Sequence, residues 1–159
     1  MNFPKCVAFN DLENWRQSSA ASGSWVVTNG CFDLLHVGHV RYLQHARTLG
    51  QLLLVGINDD EGVRQLKGPN RPLNTASDRA EVLAGLACVD AVCIFPGSRA
   101  TAFLAAARPD IYAKGGDYTL DTLDPEERKI LEAAGSRIEL LQLVPGRSTT
   151  SLVNRMRQP

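Results

Sequence analysis

An α/β fold is predicted: a doubly wound, mostly five-stranded parallel sheet with helices on both faces. Three observations point to it. Strand-like and helix-like segments alternate along the chain, the strand-like runs are short and apolar throughout, and cap or turn residues punctuate them. Alternation of this kind implies right-handed crossovers. In such sheets ligands bind beyond the carboxyl ends of the strands, where the winding direction reverses. With 159 residues, the chain suits one domain and buries roughly 70% of its unfolded surface, enough for a core without disulfides or metal.

The elements follow in order. Residues 1–24 read as a peripheral N-terminal extension, a short helix around Leu12 and Trp15 followed by a small-residue linker from Ser18 to Ser24; residues 25–159 form the main domain. Trp25–Thr28 is the first expected strand. A helix with Val40, Leu43, Ala46 and Leu49 at three-residue spacing follows, and Gly50 stops it. Leu52–Ile57 is the second strand. Thr75 and Asp78 have the spacing of a capping box before Ala80, Leu83, Leu86 and Ala87. Ala91–Phe95 is the third strand, and Ser98 is the expected cap of a helix whose apolar side is Ala102, Phe103 and Ala106. After a fourth strand, Asp110–Ala113, the run Asp124-Pro125-Glu126-Glu127 marks a helix start. It offers a cap, a proline at the first position and acids that suit the helix dipole. That helix uses Ile130, Leu131 and Ala134 and closes at Gly135; Ile138–Leu143 is the fifth strand.

Composition excludes several functions. Lys plus Arg equals Asp plus Glu at 17 each, so there is no basic excess of the kind nucleic-acid binders carry. No apolar run approaches the ~18 residues a membrane span needs, and Met1–Asn10 lacks a signal-peptide core. Cys6, Cys31, Cys88 and Cys93 form no CxxC pair, which fits reduced thiols and a cytoplasmic protein.

Chemistry concentrates in Thr28-Asn29-Gly30-Cys31-Phe32-Asp33-Leu34-Leu35-His36-Val37-Gly38-His39, running from the first strand into the first helix. His36 and His39 are three apart and are expected to share one face of the first helical turn. Gly38 leaves room for phosphates, Gly30 permits a tight turn, and the helix N-terminus adds free N–H groups. His45 reads as a surface histidine. Neither a P-loop nor a dinucleotide fingerprint occurs, so histidines and scattered cations must hold any phosphates. Leu66–Asn74, with Lys67 and Arg71, is a Pro/Gly-rich loop of the kind that closes over ligands, and Arg79 follows it. Tyr112–Tyr118 offers Lys114, Gly116 and Asp117. Arg147, Ser148, Thr149 and Thr150 open the last helix as a second phosphate seat.

These motifs, in this order, resemble the D-glycero-β-D-manno-heptose 1-phosphate adenylyltransferase family, within the nucleotidyltransferase superfamily that also holds the cytidylyltransferases. The resemblance rests on the histidine turn, Leu66-Lys67-Gly68…Arg71-Pro72-Leu73-Asn74, Lys114-Gly115-Gly116-Asp117-Tyr118 and Arg147-Ser148-Thr149-Thr150, and runs from about Val26 to Met156. The stretch from Tyr118 to Arg137 diverges, and Gly135-Ser136 stands where the family often has paired glycines. The resemblance implies a Rossmann-like fold and an ADP-sugar-forming reaction in which the phosphate of a sugar 1-phosphate attacks the α-phosphorus of ATP. It implies His36, His39 and Lys67 as catalytic. Asn29, Gly30, Cys31, Phe32, Asp33, Gly38, Gly116, Asp117, Arg147, Ser148, Thr149 and Thr150 are expected at the nucleotide, and Asn58, Arg71, Arg79 and Lys114 at the acceptor. Mg²⁺ is expected on the triphosphate with no direct protein ligand, and Asp33 is a candidate for its outer-shell water. A homodimer and a sugar kinase on a separate polypeptide are also implied. Alternatives are a cytidylyltransferase making a CDP-alcohol such as CDP-glycerol, and a nucleotide sensor without turnover.

Overall fold

A computed structural model describes residues 4–19, 23–116 and 119–142. The sheet is parallel throughout and six-stranded, in the order β1-β4-β3-β2-β5-β6. The strands are β1 (Cys6–Val7), β2 (Trp25–Gly30), β3 (Leu52–Asn58), β4 (Ala91–Phe95), β5 (Ile111–Gly115) and β6 (Arg137–Leu141). The helices are α1 (Leu12–Ser18), α2 (Val37–Thr48), α3 (Asp60–Lys67), α4 (Ala76–Ala84), α5 (Thr101–Ala107) and α6 (Pro125–Ala133).

The five expected strands are present, and the sixth corrects the reading of the N-terminus as peripheral. Cys6 and Val7 pair with Val92 and Cys93 at the sheet edge, and Leu12 is fully buried. The period-2 geometry of β2 sends successive residues to opposite faces. Val26 joins a core with Tyr42, Leu43 and Ala46 of α2 and Ala80 and Leu83 of α4. Trp25 and Val27 join Leu12 of α1, Phe103 and Leu104 of α5 and Leu131 of α6. Both faces of the central strands are thus dry, which is why their sequences show apolar runs rather than alternation.

Two helix starts behave as expected. The Thr75 hydroxyl accepts from Asp78 N–H at 3.2 Å, and Asp124 Oδ1 accepts from Glu126 N–H and Glu127 N–H at 2.9 and 3.2 Å. A third differs. Ser98 does not cap α5; Ala100 is its N-cap residue, and the Ala100 N–H donates instead to Glu127 Oε1 at 3.0 Å. Ala102 is exposed accordingly, and the buried side of α5 is Phe103, Leu104 and Ala107. Glu127, read in the sequence only as an acid suiting the helix dipole, is buried.

The winding reverses between β2 and β5. From β2 the chain proceeds through β3 to β4 on one side, and then crosses to lay β5 on the other. Here pairing is short: only Val26 with Ile111 and Val27 with Tyr112 are in register, against six pairs between β2 and β3. Beyond these pairs the carboxyl ends of β2 and β5 part and leave a crevice.

If the N-terminal segment is integral to the core, Leu12→Ala should cost about 2–5 kcal/mol, measured as a lower urea midpoint of the full chain.

Candidate active site

The crevice is a cavity of about 830 Å³ reaching from the carboxyl ends of β2 and β5 to the starts of α2 and α6. Its seam is tied from both faces of the sheet. On one face Tyr42 Oη donates to Ala113 O at 2.9 Å and lies 2.6 Å from Thr28 Oγ1. On the other, Tyr112 Oη donates to Asn29 Oδ1 at 2.6 Å and accepts from Lys114 Nζ at 3.1 Å. Tyr42 bridges Thr28 of β2 to Ala113 of β5, and Tyr112 of β5 bonds Asn29 of β2 directly, where the ladder itself has ended.

His36 precedes the helix rather than sitting within its first turn. It is the N-cap residue of α2, extended at φ −141° and ψ 170°, and its Nδ1 accepts from Gly38 N–H at 3.1 Å. That bond fixes the tautomer. An Nδ1 that accepts cannot carry the proton, so the neutral ring carries it on Nε2. The Gly38 N–H, expected to approach phosphate, is used in this cap. His39, inside the helix, stacks on His36 with centroids 3.9 Å apart and planes 26° apart. The two rings therefore meet through cap geometry instead of a shared helical face.

Phe32 supplies the other wall of His39. Its ring lies 5.3 Å from His39, and its backbone adopts a left-handed φ of 45°, a conformation an aromatic residue rarely takes. Gly30 accommodates it, since a Cβ at Gly30 would come within 3.0 Å of the Phe32 ring. Gly30 thus serves packing beneath the histidines and not a turn of its own. Enclosed this way, His39 Nδ1 is buried with no hydrogen-bond partner among the described residues. Burial first, and the neighbouring His36 second, push the His39 pKa down from 6.5 to about 4.

Asp33 anchors the following loop. Its carboxylate pairs with the Arg71 guanidinium and accepts from Leu73 N–H at 2.7 Å and Asn74 N–H at 3.1 Å, while its carbonyl accepts from Asn74 Nδ2 at 2.9 Å. With both carboxylate oxygens engaged, Asp33 is a tether for the loop. Arg71 still lines the cavity, as does Lys67, which is exposed at the end of α3.

Arg79 is the clearest departure from expectation. It is 2% exposed and does not line the cavity. Its guanidinium donates to Asn74 O, Cys31 O and Asn58 O at 3.1, 2.7 and 2.9 Å and to Asp60 Oδ1 at 2.9 Å. It satisfies the carbonyls of three converging segments and so builds the site floor rather than meeting an acceptor. Asn58, also buried, lines the cavity while its Nδ2 donates to Gly97 O at 2.8 Å. Cys31 lines it too, its thiol 3.9 Å from Asn58 Oδ1 and its pKa raised by burial. Lys114 lines the β5 side, and burial lowers its pKa against the opposing pull of Glu127 and Asp124. Gly116, at φ 136°, lies outside the lining and donates its N–H to Leu141 O at 3.2 Å. Asp117, Arg147, Ser148, Thr149 and Thr150 fall outside the described residues.

Several lining residues escaped the sequence reading. Tyr42 was hidden in a helix stripe. Ser98 and Arg99 follow β4, whose carboxyl end belongs to the same ligand-binding edge, so the rule that located the other loops also covers this one. Asp124 and Glu127 read only as a helix start. Among the described residues, no group of three or more His, Cys, Asp or Glu is placed to hold a metal ion, and no helix is long and apolar enough to cross a membrane.

A parallel sheet with a histidine turn at its switch point, facing a cavity sized for a nucleotide, defines a nucleotidyltransferase. The chain belongs to the cytidylyltransferase-like family, whose pattern it matches over residues 27–154. It is 51% identical over 131 residues to the bifunctional protein HldE of Syntrophotalea carbinolica, covering 82% of this chain and 26% of that protein. It is 48% identical over 137 residues to HldE of Geobacter sulfurreducens, covering 86% and 28%. The chain therefore spans about a quarter of the length of these relatives. Among solved structures, a lipopolysaccharide core biosynthesis protein from Thermoplasma volcanium superposes with a TM-score of 0.63 at 24% identity, covering 77% of this chain and 97% of that one. A pantoate-beta-alanine ligase from Francisella tularensis gives 0.60 at 12% identity, covering 98% and 80%. Both share the fold.

The depressed His39 pKa sets a pH dependence. Above pH 6.5, both folded and unfolded chains keep this ring neutral and its contribution to stability is intact. As pH falls from 6.5 toward 4 the unfolded chain takes up the proton first, and stability drains away. Chemical denaturation between pH 7 and 4 should show a loss that is smaller in His39→Gln, and NMR titration should place the His39 midpoint well below 6.5.

Proposed function

We propose that this nucleotidyltransferase is an adenylyltransferase that moves AMP from ATP to a sugar 1-phosphate. The acceptor we assign is D-glycero-β-D-manno-heptose 1-phosphate, the products being ADP-heptose and pyrophosphate. The carrying observation is the stacked pair His36 and His39 at the mouth of the crevice, one held as an Nε2 donor by its own cap and the other desolvated. The heptose assignment rests on the motif resemblance from the histidine turn through the Lys114-Gly115-Gly116-Asp117-Tyr118 run.

An oxygen of the acceptor phosphate forms a bond to the α-phosphorus while the bond from that phosphorus to the bridging oxygen breaks. Pyrophosphate leaves with the bonding electrons. A phosphate monoester with a second pKa near 6 is already mostly dianionic at neutral pH, so no side chain need remove a proton. The protein aligns the reactants and stabilises charge. His36 and His39 donate to the triphosphate, and Lys67 and Arg71 add positive charge at the rim of α3 and its loop. In this reading, Arg147, Ser148, Thr149 and Thr150 close the phosphate seat, and Asp117 helps shape the nucleotide pocket. Asp33, the acid beside the histidine turn, is committed to the Arg71 loop. Mg²⁺ bound to the triphosphate would lower its charge, and the histidines, Lys67 and Arg71 grip the phosphates. The reading also includes a cytoplasmic homodimer, a sugar kinase that supplies the acceptor, and a product destined for lipopolysaccharide or another surface glycan.

Removing one charge-stabilising donor typically costs 10²–10³ in turnover. His39→Ala should therefore lose about that factor in pyrophosphate release with its urea midpoint little changed; near-normal turnover would refute the histidine assignment. Pairing ATP, CTP and GTP with heptose 1-phosphate and glycerol 3-phosphate should give the highest kcat/KM for ATP with the heptose. Preference for CTP with glycerol 3-phosphate would mark a CDP-alcohol enzyme, and binding of ATP with no acceptor-dependent pyrophosphate would mark a sensor.

A further inference from the structure

The ladder between β2 and β5 ends at Val27 with Tyr112, so Asn29, two residues further along β2, has no ladder partner on the β5 side. Its side chain is held there instead. Tyr112 Oη donates to Asn29 Oδ1 at 2.6 Å, and the same oxygen accepts from Lys114 Nζ at 3.1 Å. Strand geometry permits this, because residues two apart share one face of β5. Asn29 and Lys114 both line the cavity. Tyr112 does not line it; it is fully buried, in the core formed with Trp25, Val27 and Leu131.

The chemistry of the three groups fixes their directions. An ammonium can only donate, so the phenol oxygen accepts from Lys114 and its single proton goes to Asn29 Oδ1. The Asn29 amide is thereby set with its oxygen toward Tyr112. Its Nδ2 makes no hydrogen bond among the described residues and is left as a donor for the cavity. An untethered amide could turn over and present either end. Lys114 is acted on from several sides. Burial lowers its pKa, while Glu127 and Asp124 of α6 and the Cys31 thiol pull the other way. Arg99, on the loop after β4, faces Asp124 at 3.9 Å. Without the Tyr112 hydroxyl the charged ammonium would lose an acceptor, and its pKa would fall further.

We propose that Tyr112 is a positioning residue for the nucleotide: it touches no reactant, but its hydroxyl holds the Asn29 amide with Nδ2 toward the nucleotide and steadies the Lys114 ammonium beside it. The inference rests on the nucleotide half of the adenylyltransferase reading and is independent of which sugar accepts. An amide N–H meets the acceptor atoms that a nucleotide carries in abundance, whereas a flipped amide would set oxygen against oxygen. One buried hydroxyl thus couples a neutral donor on β2 to a cation on β5 across the open seam.

Tyr112→Phe keeps the ring in the core and removes only the hydroxyl. In the full chain, ATP affinity is measured by calorimetry, Lys114 protonation by side-chain NMR, and pyrophosphate release with ATP and heptose 1-phosphate. Tyr112→Phe should weaken ATP binding about tenfold, the scale of one hydrogen bond to a charged partner, and lower the Lys114 midpoint. Asn29→Ala should weaken ATP binding by a similar factor. The double variant should bind no more weakly than Asn29→Ala alone, because the hydroxyl acts through the amide. Additive losses overturn the inference and leave the adenylyltransferase reading standing, as does an unaltered ATP affinity or Lys114 midpoint in a folded Tyr112→Phe. Should Tyr112→Phe not fold, Asn29→Asp decides: its oxygens accept but cannot donate, so ATP binding should fall at least about tenfold, and unchanged binding overturns the inference. A wild type that binds ATP without acceptor-dependent pyrophosphate overturns the adenylyltransferase reading alone, since ATP affinity still decides the role of Tyr112. A wild type that binds no ATP overturns both.

Discussion

Everything at the site follows from where β2 and β5 stop pairing. Two register pairs hold these strands together, after which the backbone ladder ends and the crevice opens. An opening of that kind at the middle of a sheet would expose strand edges and loosen the core if nothing replaced the lost hydrogen bonds. Tyr42 and Tyr112 replace them, one from each face, with side-chain bonds of 2.6 to 2.9 Å. The molecule therefore gains a cleft without an unsupported gap, and the histidine turn, which leaves from the end of β2, is held to a firm base.

Rigidity in the histidine turn is achieved through bonds that commit most of the nearby polar groups. Asp33 is committed to the Arg71 loop and Arg79 to three backbone carbonyls, so two residues expected at the ligands assemble the walls. The two imidazoles share the cavity lining with Lys67, Arg71 and Lys114 and with the carboxylates of Asp124 and Glu127. His39 Nδ1 is buried without a hydrogen-bond partner among the described residues, and that dryness, with His36 beside it, keeps the ring neutral.

The larger outline could be read from sequence because it depends on local chemistry. Apolar runs gave the five longer strands, and Thr75 and Asp124 act as the caps their spacing suggests. The histidine turn was recognisable because its residues are contiguous. The misreadings share a cause, which is that the partner lies far along the chain. Cys6 and Val7 are too short a run to announce a strand, and become one only against β4 some 86 residues away. Ser98 has the chemistry of a cap, but the carboxylate of Glu127 reaches Ala100 from another helix and shifts the start of α5. Arg79 carries no local mark that distinguishes a buried clamp from a ligand contact; only the convergence of Cys31, Asn58 and Asn74 decides it.

The parallel order of the sheet also governs how the molecule comes into being. Among the described residues no strand pairs with its partner through a hairpin, and the seam beneath the crevice joins Val26 and Val27 to residues 85 positions later. Contacts so distant in sequence form slowly, since the intervening chain must first surrender its freedom. On a ribosome, β2, β3 and β4 can associate early, but the cleft has only one bank until β5 emerges. Competence to bind a nucleotide is thus acquired late, and the half-built sheet must keep the bare flank of β2 from sticking to other chains in the meantime.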